Sequence, residues 1–159
     1  MSVTELPFGL AGRIFRSPMP FGDFDPYGET LLEFKQKRIS VIVLLSGDNE
    51  CFRKTKRNLK DLYIQEGFQI IHLPIPYFGV PPKSHIEPVI IKTISHAHEG
   101  RNVAIHCHAG VGRTGLFAAC LARKLLGLSG EDAILWIRQY IPEALQTDEQ
   151  VQLVIDYGL

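Results

Sequence analysis

The ten residues His106-Cys107-His108-Ala109-Gly110-Val111-Gly112-Arg113-Thr114-Gly115 constrain this chain more than any other stretch. An apolar run, Val103-Ala104-Ile105, leads into them, and a helix-prone segment, Leu116 to Leu126, follows. The pattern sets a cysteine at a strand end and an arginine at the start of the next helix. A loop of this kind turns its backbone N–H groups inward, and the helix N-terminus adds its positive end, so the segment builds an anion cradle. Gly110, Gly112 and Gly115 permit a curl that side chains would obstruct. Arg113 offers a planar fork that matches two phosphate oxygens at once. The same positive field favours the nucleophilic thiolate of Cys107. Read as a small core cysteine at a buried strand end, Cys107 would leave the three glycines, the arginine and the hydroxyl of Thr114 without a purpose.

The run His106 to Gly115 resembles the phosphate-binding loop of the cysteine-based protein tyrosine phosphatases, including the dual-specificity group. Rhodanese-like and arsenate-reductase-like loops also carry a cysteine, but the surrounding sequence fits them less well. The segment from Asp61-Leu62-Tyr63 through His72-Leu73-Pro74-Ile75-Pro76 is most similar to the cyclin-dependent-kinase-associated and small atypical dual-specificity branch. The resemblance implies phosphate held by the backbone of His108, Ala109, Gly110, Val111 and Gly112 and by Arg113. It implies attack on phosphorus by Cys107 and a phosphocysteine intermediate. Gln146, in the run Gln146-Thr147-Asp148-Glu149-Gln150, resembles the glutamine that places the hydrolytic water, with Gln150 second in line. Helix capping by Thr147 is the alternative reading of that run. Thr114 is expected to donate its hydroxyl to the departing thiolate, or simply to start the helix.

One position departs from the resemblance. Related enzymes carry an aspartate after the second strand that protonates the leaving oxygen. The matching stretch here is Pro74-Ile75-Pro76-Tyr77-Phe78-Gly79-Val80-Pro81, with Tyr77 where the aspartate is expected. Loss of a well-placed general acid typically costs about 10²–10⁴ in rate. Asp48 is the first candidate replacement and Glu50 the second. Both follow the Val41–Leu45 run and should emerge on the rim that carries Cys107. Either one pairing with Arg113 to fix its fork is the other functional reading, and a solvated loop residue the third. Asp23 and Asp25 fall in the Phe21–Tyr27 loop, where a turn-forming pair is the simpler reading.

The order of elements supports an α/β fold. Val41-Ile42-Val43-Leu44-Leu45 is a continuous apolar run, as in a parallel strand buried on both faces. Arg13 to Arg16 reads as a short edge strand, Phe68 to Leu73 as a strand, and Asn102 to His106 as the strand feeding the cradle. Helical spacing covers Tyr27 to Arg38, Thr55 to Glu66, Ser84 to Glu99, Arg113 to Leu126, Glu131 to Tyr140 and Thr147 to Tyr157. Ser46 to Cys51 reads as a polar loop. The expected architecture is a three-layer sandwich, a mostly parallel central sheet flanked by helices, with residues 1–159 as a single phosphatase domain.

Composition bounds the partners. Of the 159 residues 45% are hydrophobic and 21% charged, and the net charge is zero, so nothing global points to nucleic acid or an anionic membrane. The three cysteines Cys51, Cys107 and Cys120 have neither metal nor disulfide spacing, and an odd count with a reactive thiol suits a reducing cytoplasm. No cofactor or metal is expected, because the cradle itself supplies the charge stabilisation. His96, His98, His106 and His108 do not form a recognised ligand set; His106 is read as holding the loop by a hydrogen bond. The basic run Arg53, Lys54, Lys56, Arg57, Lys60 is a solvated helix face or a docking patch. The expected function is hydrolysis of phosphate monoesters: phosphotyrosine, with phosphoserine and phosphothreonine as further candidates, on a protein or a small ester. A phosphate-binding pseudophosphatase is the first alternative. Phosphoinositide and redox or persulfide chemistry follow.

Overall fold

The computed structural model describes residues 3–158. Five strands form one sheet: β1 (Thr4–Leu6), β2 (Ile14–Ser17), β3 (Ile39–Leu44), β4 (Gln69–His72) and β5 (Asn102–His106). Their order is β1-β2-β5-β3-β4, and only β1 runs antiparallel to its neighbour. Seven helices accompany them among the described residues: α1 (Glu29–Gln36), α2 (Asp48–Thr55), α3 (Leu59–Gln65), α4 (Lys83–His98), α5 (Gly112–Leu126), α6 (Gly130–Arg138) and α7 (Asp148–Asp156).

The period of two along β3 distributes its side chains to both layers. Val41 and Val43 face a core built with α4, α5, α6 and α7. Ile42 and Leu44 face a second core with Leu31 and Phe34 of α1, Cys51 of α2, and Leu59 and Tyr63 of α3. All four β3 residues are fully buried, and each contributes about 1.5–3 kcal/mol of hydrophobic stabilisation. The result is the expected three-layer α/β sandwich. Helix α5 is apolar on all sides from Leu116 to Ala122, so it must be covered all round there; residues 112–122 are buried throughout.

Four details differ from the sequence reading. The β2 strand is interior rather than an edge, because β1 pairs on its outer side. Ser46 to Cys51 is not all loop: α2 starts at Asp48, whose acidic first turn suits a helix N-terminus. The expected Thr55–Glu66 helix is two pieces. Lys56 is left-handed and ends α2, and the Asn58 side chain accepts from Asp61 N–H to open α3. Ser84 does not cap α4, which begins after Pro82.

The parallel register sets Ser17, His106 and Leu44 side by side, with Leu44 beside His72. The loops after β2, β3, β4 and β5 therefore leave the sheet on one rim, where ligands of open parallel sheets bind.

Candidate active site

The β5–α5 loop is a cradle built from both sides. Arg16, on β2, donates from Nε and Nη2 to Gly110 O (3.1 and 2.7 Å) and from Nη2 to Ala109 O (3.1 Å). Holding those carbonyls outward leaves the loop N–H groups facing inward. Gly110 is required twice here: its φ is +78°, and a Cβ would collide with Arg16 Nη2 and Ser17 O. The Arg16 brace was missed in the sequence, where Arg16 read only as the end of a strand.

Cys107 is 2% exposed. Thr114 Oγ1 donates to its Sγ at 3.1 Å. His106 is fully buried between Tyr63 Oη on Nε2 (2.7 Å) and Cys107 O on Nδ1 (2.9 Å). Burial lowers its pKa to about 4, opposed by the Cys107 carbonyl and aided by Arg113. His106 is therefore neutral. A carbonyl only accepts, so Nδ1 carries the proton and Nε2 accepts from the Tyr63 hydroxyl. The expected loop-holding role of His106 is the one it has. Because the unfolded chain takes up this proton near pH 6.5 and the folded chain only near 4, the His106 contribution is present above 6.5 and lost on acidification towards 4. The full loss is about 3 kcal/mol. Urea melts at pH 7 and pH 4.5 check it: wild type should lose more stability between the two than His106→Gln.

Arg113 is held from the far side. Its Nη1 and Nη2 donate to Glu50 Oε1 and Oε2 at 2.8 and 2.7 Å, and Nη1 also donates to Ile75 O at 3.0 Å. Ile75 is itself fixed by its N–H on Leu45 O. Burial would lower the Arg113 pKa, but the Glu50 bonds and the neighbouring Cys107 and Tyr77 outweigh it and hold the guanidinium charged. A guanidinium has five N–H donors. Both hydrogens of Nη1 and one of Nη2 are used in these bonds. The Nε–H and the second Nη2–H form the remaining fork, the side that can take two phosphate oxygens.

This arrangement corrects one expectation. Asp48 was the first choice for the site, yet its carboxylate is 68% exposed and lies 3.4 Å from Lys60 Nζ, above α3. One helical turn places Asp48 and Glu50 on different faces, and α2 presents Glu50 to Arg113. The fork-fixing role read for either residue therefore belongs to Glu50.

The space over the thiol is lined by Tyr77, Phe78, Cys107, Ala109, Gly112, Arg113 and Gln146. The free volume is about 10 Å³, room for roughly one water. Tyr77 closes it: its ring centroid lies 4.7 Å from Arg113 Cζ and Phe78 packs edge-on against it. Gly112 makes room for Gln146, whose Oε1 would collide with a Cβ there. Gln150, the second choice, is fully buried and acts as a strut. It accepts from Gln146 N–H (2.7 Å) and donates to Gly79 O (3.1 Å), joining the Gln146 loop to the Tyr77 loop. Thr147 caps α7 as expected.

The Phe21–Tyr27 loop, unplaced by sequence, lies against the cradle. Met19 N–H donates to His108 O (2.9 Å), and Asp23 Oδ2 lies 3.4 Å from His108 Nε2. Asp25 accepts from Glu29 and Thr30 N–H and so opens α1. Within the basic run, Lys54 pairs with Asp23, Lys60 with Asp48, and Arg57 stacks on Phe21. Among the described residues no helix is long and apolar enough to cross a membrane, and no three His, Cys, Asp or Glu side chains gather as a metal site.

Comparison with known proteins agrees with this geometry. A model of the family described as "Tc-R-P: Polymorphic toxin system, DSP-PTPase phosphatase" matches residues 20–126. Cyclin-dependent kinase inhibitor 3 of Rattus norvegicus is 30% identical over 121 residues, 68% of this chain and 57% of that protein. Protein tyrosine phosphatase domain-containing protein 1 of Danio rerio is 31% identical over 98 residues, 62% of this chain but 14% of that protein. The chain thus spans only a small part of the longer curated relatives it matches. Among solved structures, kinase associated phosphatase with its catalytic-site cysteine changed to serine superposes with a TM-score of 0.86 at 25% identity, covering 96% of this chain and 90% of that one. Tk-PTP in its active form gives 0.79 at 26% identity, covering 98% of each. The family match spans more than half of this chain, which therefore belongs to the DSP-PTPase phosphatases.

Proposed function

We propose that the chain hydrolyses phosphate monoesters, phosphotyrosine foremost, through a phosphocysteine formed on Cys107. The observation that carries the reading is the conjunction at the start of α5: a thiol bonded by Thr114, and an arginine whose outer fork is taken by Glu50 while its side fork stays open. Phosphate enters the cradle on the backbone of residues 108–113 and the open side of Arg113. The Cys107 thiolate attacks phosphorus, the ester oxygen leaves, and water positioned by Gln146 hydrolyses the thiophosphate. Thr114 donates to the sulfur as it departs. Tyr77 stands in place of the usual acid and covers Arg113, so the residue 74–82 loop must open before a phosphate group fits. Likeness to the cyclin-dependent kinase inhibitor 3 protein makes a phosphorylated protein the first substrate class to try.

The closed space over the thiol favours one other reading, a phosphate-recognition module with little turnover. Para-nitrophenyl phosphate separates the two. An active enzyme releases phosphate from it and is inhibited competitively by vanadate; a recognition module binds vanadate and releases nothing.

Tyr77→Asp is expected to raise kcat on phenyl phosphate by no more than about 10-fold, the part that the native proton donor leaves, and to change para-nitrophenyl phosphate little, because only the poorer leaving group needs a proton. Steady-state kinetics on the two esters measure this.

A further inference from the structure

With Tyr77 in the usual acid's place, the proton for the leaving group must come from elsewhere. The carboxylates near the cradle are mostly committed. Both Glu50 oxygens bind Arg113, both Asp25 oxygens bind the N-terminus of α1, and Asp48 faces Lys60. Asp23 is different. Its backbone is fixed on the cradle: Gly22 N–H donates to Met19 O, Asp25 N–H to Gly22 O, and Met19 N–H to His108 O. Gly22 lies so close to His108 that a Cβ would sit 3.3 Å from its ring. Asp23 N–H itself donates to His108 Nε2 at 3.4 Å, so that nitrogen is an acceptor, and the Asp23 side chain, 61% exposed, has Lys54 Nζ at 3.2 Å as its ion-pair partner among the described residues. Exposed pairs of this kind break at little cost.

Its position suits proton transfer. His108 follows Cys107 in the cradle, and the Tyr77 ring lies 6.3 Å from the His108 imidazole, centroid to centroid. Asp23 and Tyr77 are therefore both neighbours of the cradle residue His108, with Tyr77 turned onto Arg113.

We infer that Asp23, from the loop after β2, is the proton donor to the leaving group, a role that rests on the phosphocysteine reading above. The carboxyl turns from His108 towards the ester oxygen as the Tyr77 loop opens. The Cys107 thiolate forms the S–P bond, the P–O bond breaks, and the Asp23 proton passes to the leaving oxygen, giving the alcohol and the Asp23 carboxylate. In the second step that carboxylate takes a proton from the water that attacks phosphorus, the S–P bond breaks, and the thiolate and the protonated carboxyl are restored.

The test compares Asp23→Asn, Tyr77→Phe and wild type on phenyl phosphate and para-nitrophenyl phosphate. The expected result is a loss of about 10²-fold in kcat for Asp23→Asn on phenyl phosphate, with para-nitrophenyl phosphate near wild type. Wild-type rates for Asp23→Asn on both esters overturn the assignment. So does an equal loss on both, which marks a residue that merely positions His108, and so does a selective loss in Tyr77→Phe that Asp23→Asn lacks. A wild-type protein inert on para-nitrophenyl phosphate defeats the phosphocysteine reading itself, and this assignment with it.

Discussion

Cys107→Ser is expected to abolish turnover of every phosphate ester, lowering kcat by at least about 10⁴-fold, while vanadate and phosphate still bind. A serine hydroxyl at neutral pH is a far weaker nucleophile than a thiolate, and the side chain hydrogen-bonded to the sulfur, Thr114, is a hydroxyl donor rather than a base. Binding survives because the anion is held by backbone N–H groups of the loop, which Arg16 braces from behind independently of the sulfur. Thr114 keeps an acceptor within reach when sulfur becomes oxygen. Turnover of para-nitrophenyl phosphate and calorimetric titration with vanadate check the two halves of this expectation separately.

The second large effect belongs to Glu50. Glu50→Gln removes the charge from a buried bidentate pair at 2.7 and 2.8 Å. Breaking such a pair costs about 3–5 kcal/mol, because the partner stays buried and uncompensated. Part of that cost falls on stability and part on the aim of the Arg113 side fork. The expected outcome is a fall in kcat/KM of about 10²–10³, equal for good and poor leaving groups, together with a lower denaturation midpoint. Asp48→Asn, two residues away, should leave both esters near wild type, since its partner is Lys60 on the surface. Kinetics of the two variants on both esters, with urea melts alongside, decide it.

The cradle was legible because its information is local. Strand, glycines, arginine and helix lie within twenty-odd consecutive residues, and β5 has the limits its apolar run implies. The same holds for β3, whose unbroken apolar run requires two covered faces. What was not legible depends on register and rotation. Asp48 and Glu50 share one turn of α2, and only the way that helix lies on the sheet decides which meets Arg113. Arg16 reaches Gly110 because β2 pairs with β5, a contact across 94 residues. The Asp23 loop could be placed on the rim only once β2 proved to be an interior parallel strand, with the short, half-polar β1 taking the edge. Tyr77 was visible as a departure, but its place over Arg113 follows from Gln150 and Ile75 tying that loop down.

The central claim is a covalent step on one sulfur. Rapid quenching of the wild-type enzyme with para-nitrophenyl phosphate, followed by peptide mass spectrometry, tests it most directly. The account predicts one phosphoryl group on the peptide containing Cys107, appearing within the first turnover, absent in Cys107→Ser, and accumulating when Gln146→Ala slows the attack of water. Phosphate released at the wild-type rate with no phosphoryl group on Cys107 under any of these conditions would contradict it.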